Sequence, residues 1–295
     1  MSTAQSIPEI KEALRNARER CEMAGIERVD AELILAHVLG VERMQLHARQ
    51  FQLSLEQYEL FQELLETRLQ GTPTQYLTGE APFRYLTFSV GPGVLIPRPE
   101  TELLVDAAMV EIERLKSAPD ANSQTVSIVD LGAGSGAISI SIAHEARQRA
   151  LPVQIVAVEK SEAALEWLKK NIARHDVDVR VIHSDVRDAL VGVKCDIVVA
   201  NPPYVPNDVQ LPALVSNNEP DIALFGGAND GLEVPRLFIE SATRLLKPAG
   251  LLILEHYENQ SPALERILHA DYSDISHYTD LNQRPRWLTA RRKGR

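Results

Sequence analysis

The sequence is poor in cysteine, and this shortage limits the chemistry that the protein can carry. Its 295 residues include two cysteines, Cys21 and Cys195. The first lies in a stretch with helical periodicity and the second in an apolar, strand-like run, so we expect two buried thiols. No metal-binding spacing of residues occurs anywhere in the chain, so the sequence predicts no metal centre.

The sequence also lacks net positive charge and long apolar runs. Its net charge is −10 and its pI is about 5.4, whereas proteins that bind duplex nucleic acid usually present a broad basic surface. We therefore expect no direct nucleic-acid partner, although these totals are compatible with a local basic patch. No run reaches the roughly 18 apolar residues of a membrane span, and the amino terminus has no apolar signal-peptide core. The sequence thus predicts a cytoplasmic protein without a membrane partner.

The remaining composition is that of a globular protein with a sizeable core, since 44% of the residues are hydrophobic and 24% are charged. Apolar residues recur at three- and four-residue spacing through residues 1–72 and predict a small helical bundle. Within it, Asp30 is a candidate N-cap, and Ser54 and Gln57 have the spacing of a capping box. The bundle carries no chemical motif, so we interpret it as a substrate-docking domain.

Residues 73–98 predict a linker made of two β-strands. Apolar residues alternate from Phe83 to Val90, Gly91-Pro92-Gly93 forms a turn, and Val94-Leu95-Ile96 forms the second strand. We expect these strands to pair as a hairpin between the bundle and a C-terminal domain of residues 99–295.

The C-terminal domain alternates strands with helices, which is typical of a largely parallel sheet in the α/β class. The predicted strands are Val126–Leu131, Val153–Val158, Val179–His183, Cys195–Ala200 and Leu251–Glu255, and the predicted helices are Ala137–Ala150, Glu162–Arg174 and Leu232–Leu246. Ser161 is a candidate N-cap, and the polar stretch Ser117–Thr125 predicts a loop. Ser273–Thr279 and Arg286–Ala290 are candidates for an edge pair that closes the sheet.

The tetrapeptide Asn201-Pro202-Pro203-Tyr204 follows an apolar strand, at the position where open α/β sheets bind ligands. Pro203 favours extended geometry at Pro202, which leaves the Pro202 carbonyl free to point into a cleft. The Asn201 side-chain carbonyl adds a second acceptor, and the two together can accept both hydrogens of a planar –NH₂ group. The alternative interpretation is a simple turn that ends the strand.

Three other strand ends carry candidate binding residues. Gly132-Ala133-Gly134-Ser135-Gly136 joins a strand to a helix, where glycines allow close backbone approach and the helix offers free N–H groups. Glu159 ends the next strand and can accept both hydroxyls of a ribose. Asp185 can accept an adenine amino hydrogen while the Val186 N–H meets a ring nitrogen. Each feature alone fits a tight turn or a solvated carboxylate, but together with Asn201 they predict one continuous cleft.

These motifs resemble the HemK family of glutamine methyltransferases, which modify peptide-chain release factors. The resemblance covers nearly the whole chain, and beyond the helical bundle, the glycine loop and Asn201–Tyr204 it includes Leu95–Glu102, Glu219-Pro220, Gly226-Gly227, Asp230-Gly231-Leu232, Glu255 and Gln260. It implies a class I methyltransferase with a Rossmann-like, mostly parallel seven-stranded sheet and a small N-terminal helical bundle. Several positions depart from the family, which often has Asp at Glu159 and an aromatic residue at Val186. The family also commonly has a glycine at Tyr85 and a glycine-containing turn at His256-Tyr257.

The resemblance also implies a reaction. S-adenosylmethionine would donate the methyl group and leave as S-adenosylhomocysteine, and the acceptor would be the glutamine of the Gly-Gly-Gln motif in class-1 release factors. In the family, the positions of Gly132–Gly136, Glu159 and Val186 contact the cofactor, and Asn201–Tyr204 hold the glutamine. We also assign Asp185 and Asn201 to the cofactor site, and Asn201, Pro202 and Tyr204 to catalysis. We expect the enzyme to be a monomer.

Rival functions stay open at this point. A related enzyme could methylate a ribosomal-protein glutamine, and Asn-Pro-Pro-Tyr also occurs in adenine amino-methyltransferases, which the acidic composition disfavours. Gly132, Gly134 and Ala137 loosely fit a dinucleotide-binding pattern, but a nicotinamide dehydrogenase would leave Asn201–Tyr204 unexplained. A scaffold that binds the cofactor without catalysis is the alternative from a different class.

Overall fold

The computed structural model describes residues 7–48, 51–117 and 125–294. The chain forms two compact units: unit 1 comprises Met1–Glu80 and Leu211–Asn218, and unit 2 comprises Ala81–Gln210 and Glu219–Arg295. Most of the predicted loop Ser117–Thr125 lies outside the described residues. No helix in the described ranges has the length and the apolar composition needed to cross a membrane.

The secondary structure of the described residues follows the chain in this order. The helices are α1 (Ile10–Met23), α2 (Arg28–Leu39), α3 (Gln45–Ala48), α4 (Leu55–Leu69), α5 (Thr74–Thr78), α6 (Glu102–Lys116), α7 (Ala137–Gln148), α8 (Glu162–His175), α9 (Ala213–Ser216), α10 (Glu233–Leu245) and α11 (Ser261–Leu268). The strands are β1 (Glu80–Phe83), β2 (Leu86–Ser89), β3 (Val126–Leu131), β4 (Val153–Glu159), β5 (Val179–His183), β6 (Cys195–Ala200), β7 (Leu246–Glu255), β8 (Tyr272–Thr279) and β9 (Pro285–Arg292). Short 3₁₀ turns form at Pro99–Thr101 and Asp221–Ala223.

Unit 1 is a helical bundle around its own apolar cluster, in which Ile34, Leu35, Phe61 and Leu65 are fully buried. The predicted capping box of α4 is confirmed, because the Gln57 N–H donates to Ser54 and the Gln57 side chain accepts from the Ser54 N–H.

The predicted cap at Asp30 is wrong. Helix α2 begins earlier, at Arg28, and the Asp30 carboxylate instead accepts a hydrogen bond from Arg68 Nε at 2.7 Å. A helix start is set by backbone geometry as well as by residue type. Here the Asp30 side chain forms an ion pair with the buried Arg68 and does not cap the helix.

Unit 2 contains a seven-stranded sheet in the order β5-β4-β3-β6-β7-β9-β8. The first five strands in this order pair in parallel, and β9 is antiparallel to both of its neighbours. The prediction of a mostly parallel sheet closed by an edge pair is therefore confirmed. The strand order reverses between β3 and β6, and the loops that follow such a switch point form the crevice where α/β proteins bind ligands.

The predicted hairpin is only partly correct. Strands β1 and β2 pair with each other, with a turn at Arg84 and Tyr85, and Val94-Leu95-Ile96 is not a strand. Arg84 adopts φ 52°, and its N–H donates to the Glu102 carboxylate at 2.8 Å. The Glu102 side chain thus stabilises a turn at the start of the stretch Phe83–Val90, whose alternating pattern predicts one continuous strand.

Candidate active site

A cavity of about 280 Å³ lies in unit 2. It is bordered by the carboxyl ends of β3, β4 and β6 and by the segment that follows β5. The predicted site residues that line it are Gly132, Ala133, Gly134, Ser135, Glu159, Asp185, Val186, Asn201 and Pro203. Four strand ends thus meet at one cavity, as the parallel register of the sheet requires. The predicted residues Gly136, Pro202 and Tyr204 are not part of its lining.

The glycine loop between β3 and α7 is shaped by three residues with positive φ: Gly132, Gly134 and Gly136. A Cβ atom on Gly136 would approach a Leu168 side-chain atom to 2.5 Å, so this glycine allows helix α8 to pack against the loop. At Gly134, by contrast, a Cβ atom would meet nothing within 4 Å. Gly134 therefore borders empty space in the cavity, as expected of a backbone segment over which a nucleoside cofactor can lie.

Glu159 connects two of the strand ends. Its carboxylate accepts hydrogen bonds from the backbone N–H groups of Gly134, Lys160 and Ser161, each at 2.8 Å. The side chain is buried and lines the cavity. A carboxylate offers about four lone-pair positions, and three are used by these bonds, so Glu159 Oε2 keeps capacity to accept one more hydrogen bond from a ligand hydroxyl.

Asp185 and Val186 follow β5 at the cavity wall. The Asp185 carboxylate accepts two hydrogen bonds from the Arg187 guanidinium, at 2.9 and 3.1 Å, and these bonds lower the pKa of Asp185. Among the residues that the structure describes, none accepts a hydrogen bond from the Val186 N–H, whereas its carbonyl accepts one from Ser241 at 2.9 Å. The Val186 N–H is thus a donor that a ligand can use.

Asn201 stands at the end of β6 with its side chain oriented by a neighbour. Its Nδ2 donates to Thr101 Oγ1 at 3.1 Å, and Thr101 in turn donates to Glu255 Oε2 at 2.7 Å. Across the described ranges, no group donates to Asn201 Oδ1, and Asn201 lines the cavity. Its amide oxygen is therefore the acceptor left for a ligand.

Tyr204 turns its hydroxyl away from the cavity. The Tyr204 OH donates to Glu255 Oε1 at 2.8 Å, and burial beside this carboxylate raises the pKa of Tyr204 well above its usual value. The phenol therefore stays protonated and holds the Glu255 side chain in place. Sequence reasoning did not assign a role to Thr101 or Glu255, although both lie in segments that carry the family resemblance.

A second segment holds the backbone of the Asn201–Tyr204 loop. Gln260 Nε2 donates to the carbonyls of Tyr204 at 3.0 Å and of Asp230 at 2.8 Å. A Cβ atom on Gly231 would lie 2.3 Å from the Tyr204 carbonyl oxygen, so only glycine fits there. Gln260, Asp230 and Gly231 are further residues with a role that spacing along the sequence did not reveal.

Glu219 supports another part of the cavity wall by holding the segment that follows the hairpin. The buried Glu219 carboxylate accepts from the Ile96 N–H at 3.1 Å and from Arg98 Nη2 at 2.6 Å. Leu95 and Arg98 line the cavity. The residues predicted to be the second strand thus form one side of the site instead.

The pKa of Asp130, directly below the glycine loop, is unusual. Asp130 is fully buried, and its desolvation raises its pKa to about 7, with Glu159 adding a smaller effect of the same sign. Its Oδ2 accepts the Ser139 N–H at 3.1 Å, and its Oδ1 has no partner among the described residues. A proton on this carboxyl group near neutral pH removes the cost of an unpaired buried charge.

Known proteins resemble this chain over nearly its whole length. The family described as PrmC N-terminal domain matches residues 12–79, and the methyltransferase small domain family matches residues 107–217. The release factor glutamine methyltransferase of Bifidobacterium longum is 36% identical, covering 95% of this chain and 99% of its own length. That of Mycolicibacterium smegmatis is also 36% identical and covers 97% and 99%. The chain belongs to the release factor glutamine methyltransferase family.

Family membership confirms the predictions of a methyltransferase and of S-adenosylmethionine as its cofactor. A solved structure supports the fold: the 16S rRNA N2 G1207 methyltransferase of T. thermophilus aligns with a TM-score of 0.50 and 23% identity, covering 72% of this chain and 50% of its own. At this identity the likeness concerns the fold of the methyltransferase alone.

Proposed function

We propose that this enzyme transfers a methyl group from S-adenosylmethionine to the side-chain amide nitrogen of the glutamine in the Gly-Gly-Gln motif of class-1 release factors. The family membership supports the acceptor class. The observation that carries the chemistry is the free amide oxygen of Asn201 beside the cavity, at the end of β6.

The cavity residues fit the cofactor. The backbone at Gly132 and Gly134 would support it, and Glu159 would accept a ribose hydroxyl through Oε2. Val186 would donate its free N–H to the adenine ring, next to Asp185. When bound, the cofactor supplies a methyl group on a positively charged sulfonium.

Asn201 and Pro202 would hold the substrate amide. An amide nitrogen is a weak nucleophile because its lone pair is delocalised into the carbonyl group. Two acceptors, Asn201 Oδ1 and the Pro202 carbonyl, would bind both amide hydrogens and favour a pyramidal nitrogen. Orientation of this kind contributes roughly 7–11 kcal/mol in the best cases, and the same dipoles stabilise the positive charge that develops on nitrogen. In this proposal Pro203 fixes Pro202, and Tyr204 supports the loop from outside the cavity lining through its hydrogen bond to Glu255.

The remaining predictions extend this proposal. Residues 1–72 would dock the release factor, residues 73–98 would link the two domains, and residues 99–295 would carry the chemistry. We also propose that the enzyme acts in the cytoplasm as a monomer and without direct contact to nucleic acid.

Competing acceptors test the proposed substrate. The purified enzyme is incubated with tritiated S-adenosylmethionine and with release factors, ribosomal subunits and DNA, together and separately. We expect label in the release factor, located by proteolysis and mass spectrometry on the Gly-Gly-Gln glutamine. Label in ribosomal protein alone, or in DNA alone, would assign the enzyme to a rival acceptor, and no label in any of the three would indicate a non-catalytic scaffold.

A further inference from the structure

A chain of hydrogen bonds below the Asn201–Tyr204 loop ends on a buried carboxylate. Thr101 is buried, and its single hydroxyl lies 3.1 Å from Asn201 Nδ2 and 2.7 Å from Glu255 Oε2. The other oxygen of Glu255 accepts the Tyr204 hydroxyl at 2.8 Å. One acidic side chain thus contacts both ends of the tetrapeptide, directly at Tyr204 and through Thr101 at Asn201.

The direction of each bond in this chain follows from the nature of its carboxylate. An ionised carboxylate can only accept hydrogen bonds, so the Thr101 hydroxyl must donate its one proton to Glu255. The Thr101 oxygen then has only lone pairs to offer to Asn201. An amide side chain meets a lone pair with its –NH₂ group, and therefore Asn201 Oδ1 must face the other way.

This direction matters because the two faces of an asparagine amide are nearly identical in shape but opposite in polarity. A flipped Asn201 would present –NH₂ to the substrate –NH₂, two donors facing each other, and the substrate amide would lose one of its two acceptors. Packing alone does not distinguish the two orientations, since O and N differ little in size. A hydrogen bond of fixed direction does.

We propose that Thr101 and Glu255 are positioning residues that fix the orientation of the Asn201 amide and so keep its oxygen towards the substrate. The inference rests on the proposed function of Asn201 as an acceptor for the substrate amide. Glu255 imposes the direction, Thr101 transmits it, and neither needs to touch the substrate.

The surroundings of Glu255 are consistent with this role. Burial raises the pKa of Glu255 and nearby Glu100 acts in the same direction, while Thr101, Tyr204 and Arg286 act in the opposite direction. The Arg286 side chain is largely buried and lies 3.5 Å from the Asp280 carboxylate. Burial outweighs these opposing effects, so the pKa of Glu255 is raised overall. The support for an accepting carboxylate is therefore geometric: two hydroxyl groups, those of Thr101 and Tyr204, donate to its two oxygens at 2.7 and 2.8 Å.

The test compares Thr101→Val with Thr101→Ser in the full-length enzyme. Valine keeps the shape of threonine but removes the hydroxyl, and serine keeps the hydroxyl but removes the methyl group. We expect Thr101→Val to lower the single-turnover methyl-transfer rate by at least about tenfold, as a misoriented reacting group does. Thr101→Ser should keep roughly a third or more of the rate. Binding of S-adenosylhomocysteine, measured by calorimetry, should change less than about threefold in both variants.

A double-mutant cycle separates orientation from general structural damage. Aspartate at position 201 has two equivalent oxygens and no orientation to fix, so Thr101→Val should cost far less in an Asn201→Asp background than in the wild type. Thr101→Val should likewise cost far less in a Glu255→Gln background than in the wild type, because glutamine does not oblige Thr101 to donate its proton. Thr243→Val is the matched control: it removes a hydroxyl that contacts Ile239 and Tyr272, outside the cavity lining, and should lower stability without changing the rate at saturating cofactor.

Three results would overturn the inference. They are a near-normal rate for Thr101→Val, an equal loss for Thr101→Ser, and an effect of Thr101→Val that is equally large with Asn201→Asp. The comparison uses whichever acceptor the wild-type enzyme labels, so a wrong substrate class is detected separately, before any variant is measured. If the wild type labels no acceptor, the inference fails together with the role of Asn201.

Discussion

The carboxylate of Glu159 accepts a hydrogen bond from the backbone N–H of Gly134, with 2.8 Å between Oε2 and N. The contact joins the end of β4 to the glycine loop that follows β3. The second oxygen, Oε1, accepts from Lys160 and Ser161, so a single side chain organises the backbone on two sides of the cavity. A change at Glu159 should therefore affect both the shape of the loop and any direct contact to the cofactor.

The first prediction concerns this side chain. Glu159→Ala should weaken binding of S-adenosylhomocysteine by about tenfold or more, because a hydrogen bond to a charged group contributes roughly 1.5–3 kcal/mol. Glu159→Gln should also bind weakly, since its –NH₂ group would face backbone donors. Glu162→Ala is the control, because it removes an exposed acidic side chain in the first turn of α8 that does not line the cavity. Calorimetry gives each dissociation constant, and an unchanged value for Glu159→Ala would remove this residue from the site.

The parts of the site that could be predicted are those encoded locally. The bounds of β3, β5 and β6 agree with the prediction. Strands β3 and β6 are buried parallel strands, which consist of short apolar runs between turn residues, whereas β5 is a half-exposed edge strand in which polar and apolar residues mix. The glycine loop and Asn201–Tyr204 follow two of these runs directly. The positions of the strand ends, together with the rule that parallel strands end at one edge of the sheet, were enough to predict that these residues lie at one cavity.

The parts that could not be predicted depend on contacts between distant residues. Thr101 and Glu255 share a hydrogen bond although they are 154 positions apart. The turn at Arg84 depends on Glu102, and no local pattern marks it. Such polar pairs form only when the fold brings both partners together, so neither partner alone shows in the sequence what it will contact.

The second prediction concerns a close backbone approach behind the substrate loop. Gly231→Ala should lower methyl transfer strongly, because the new Cβ would lie 2.3 Å from the Tyr204 carbonyl oxygen and force the loop to move. Gly192→Ala is a matched control, since Gly192 also has positive φ but borders open space. The control should lose only about 1–2 kcal/mol of stability from its backbone conformation. Methyl-transfer rates and thermal unfolding of both variants test this prediction. Equal rates in the two variants would contradict the proposal that Gly231 supports the Asn201–Tyr204 loop by close backbone packing.

The third prediction concerns the pH dependence of stability. Burial raises the pKa of Asp130 to about 7 in the folded state from an ordinary value of 3.8. Between about pH 4 and 7 the folded state therefore binds more protons than the unfolded state, and this group makes the free energy of unfolding fall as pH rises. Asp130→Asn, which resembles the protonated form, should remove this slope.

The size of the effect follows from the shift in pKa. The difference between variant and wild type should change by up to about 4 kcal/mol from pH 4 to pH 8. His256, whose pKa burial lowers to about 4, gives a slope of opposite sign, but it is present in both proteins and cancels in the difference. Urea unfolding at several pH values measures this difference, and a constant difference would show that Asp130 is ionised in the folded enzyme throughout this range.

The fourth prediction concerns the helical unit. A protein lacking residues 1–72 should still bind S-adenosylhomocysteine, because every residue of the cavity lining lies in unit 2 and the helical unit has its own core. It should methylate an intact release factor poorly if the removed helices dock that protein. A short peptide that contains Gly-Gly-Gln serves as the control, because it needs no docking surface and should be methylated equally by both proteins. Full activity of the shortened enzyme on the intact release factor would refute the docking role.

The last prediction separates the acceptor role of Asn201 from a purely structural one. Asn201→Ala should nearly abolish methyl transfer and leave cofactor binding almost normal, because it removes the oxygen that faces the substrate amide. Asn201→Asp keeps an oxygen at similar reach and should retain measurable activity, reduced because its charge attracts the sulfonium and alters the local geometry. If Asn201 were only a turn residue, alanine would lower stability and cofactor affinity together with the rate. Single-turnover rates at saturating cofactor, measured beside dissociation constants for both variants, distinguish these cases. A near-normal rate for Asn201→Ala would show that the pair of acceptors at Asn201 and Pro202 does not carry the chemistry.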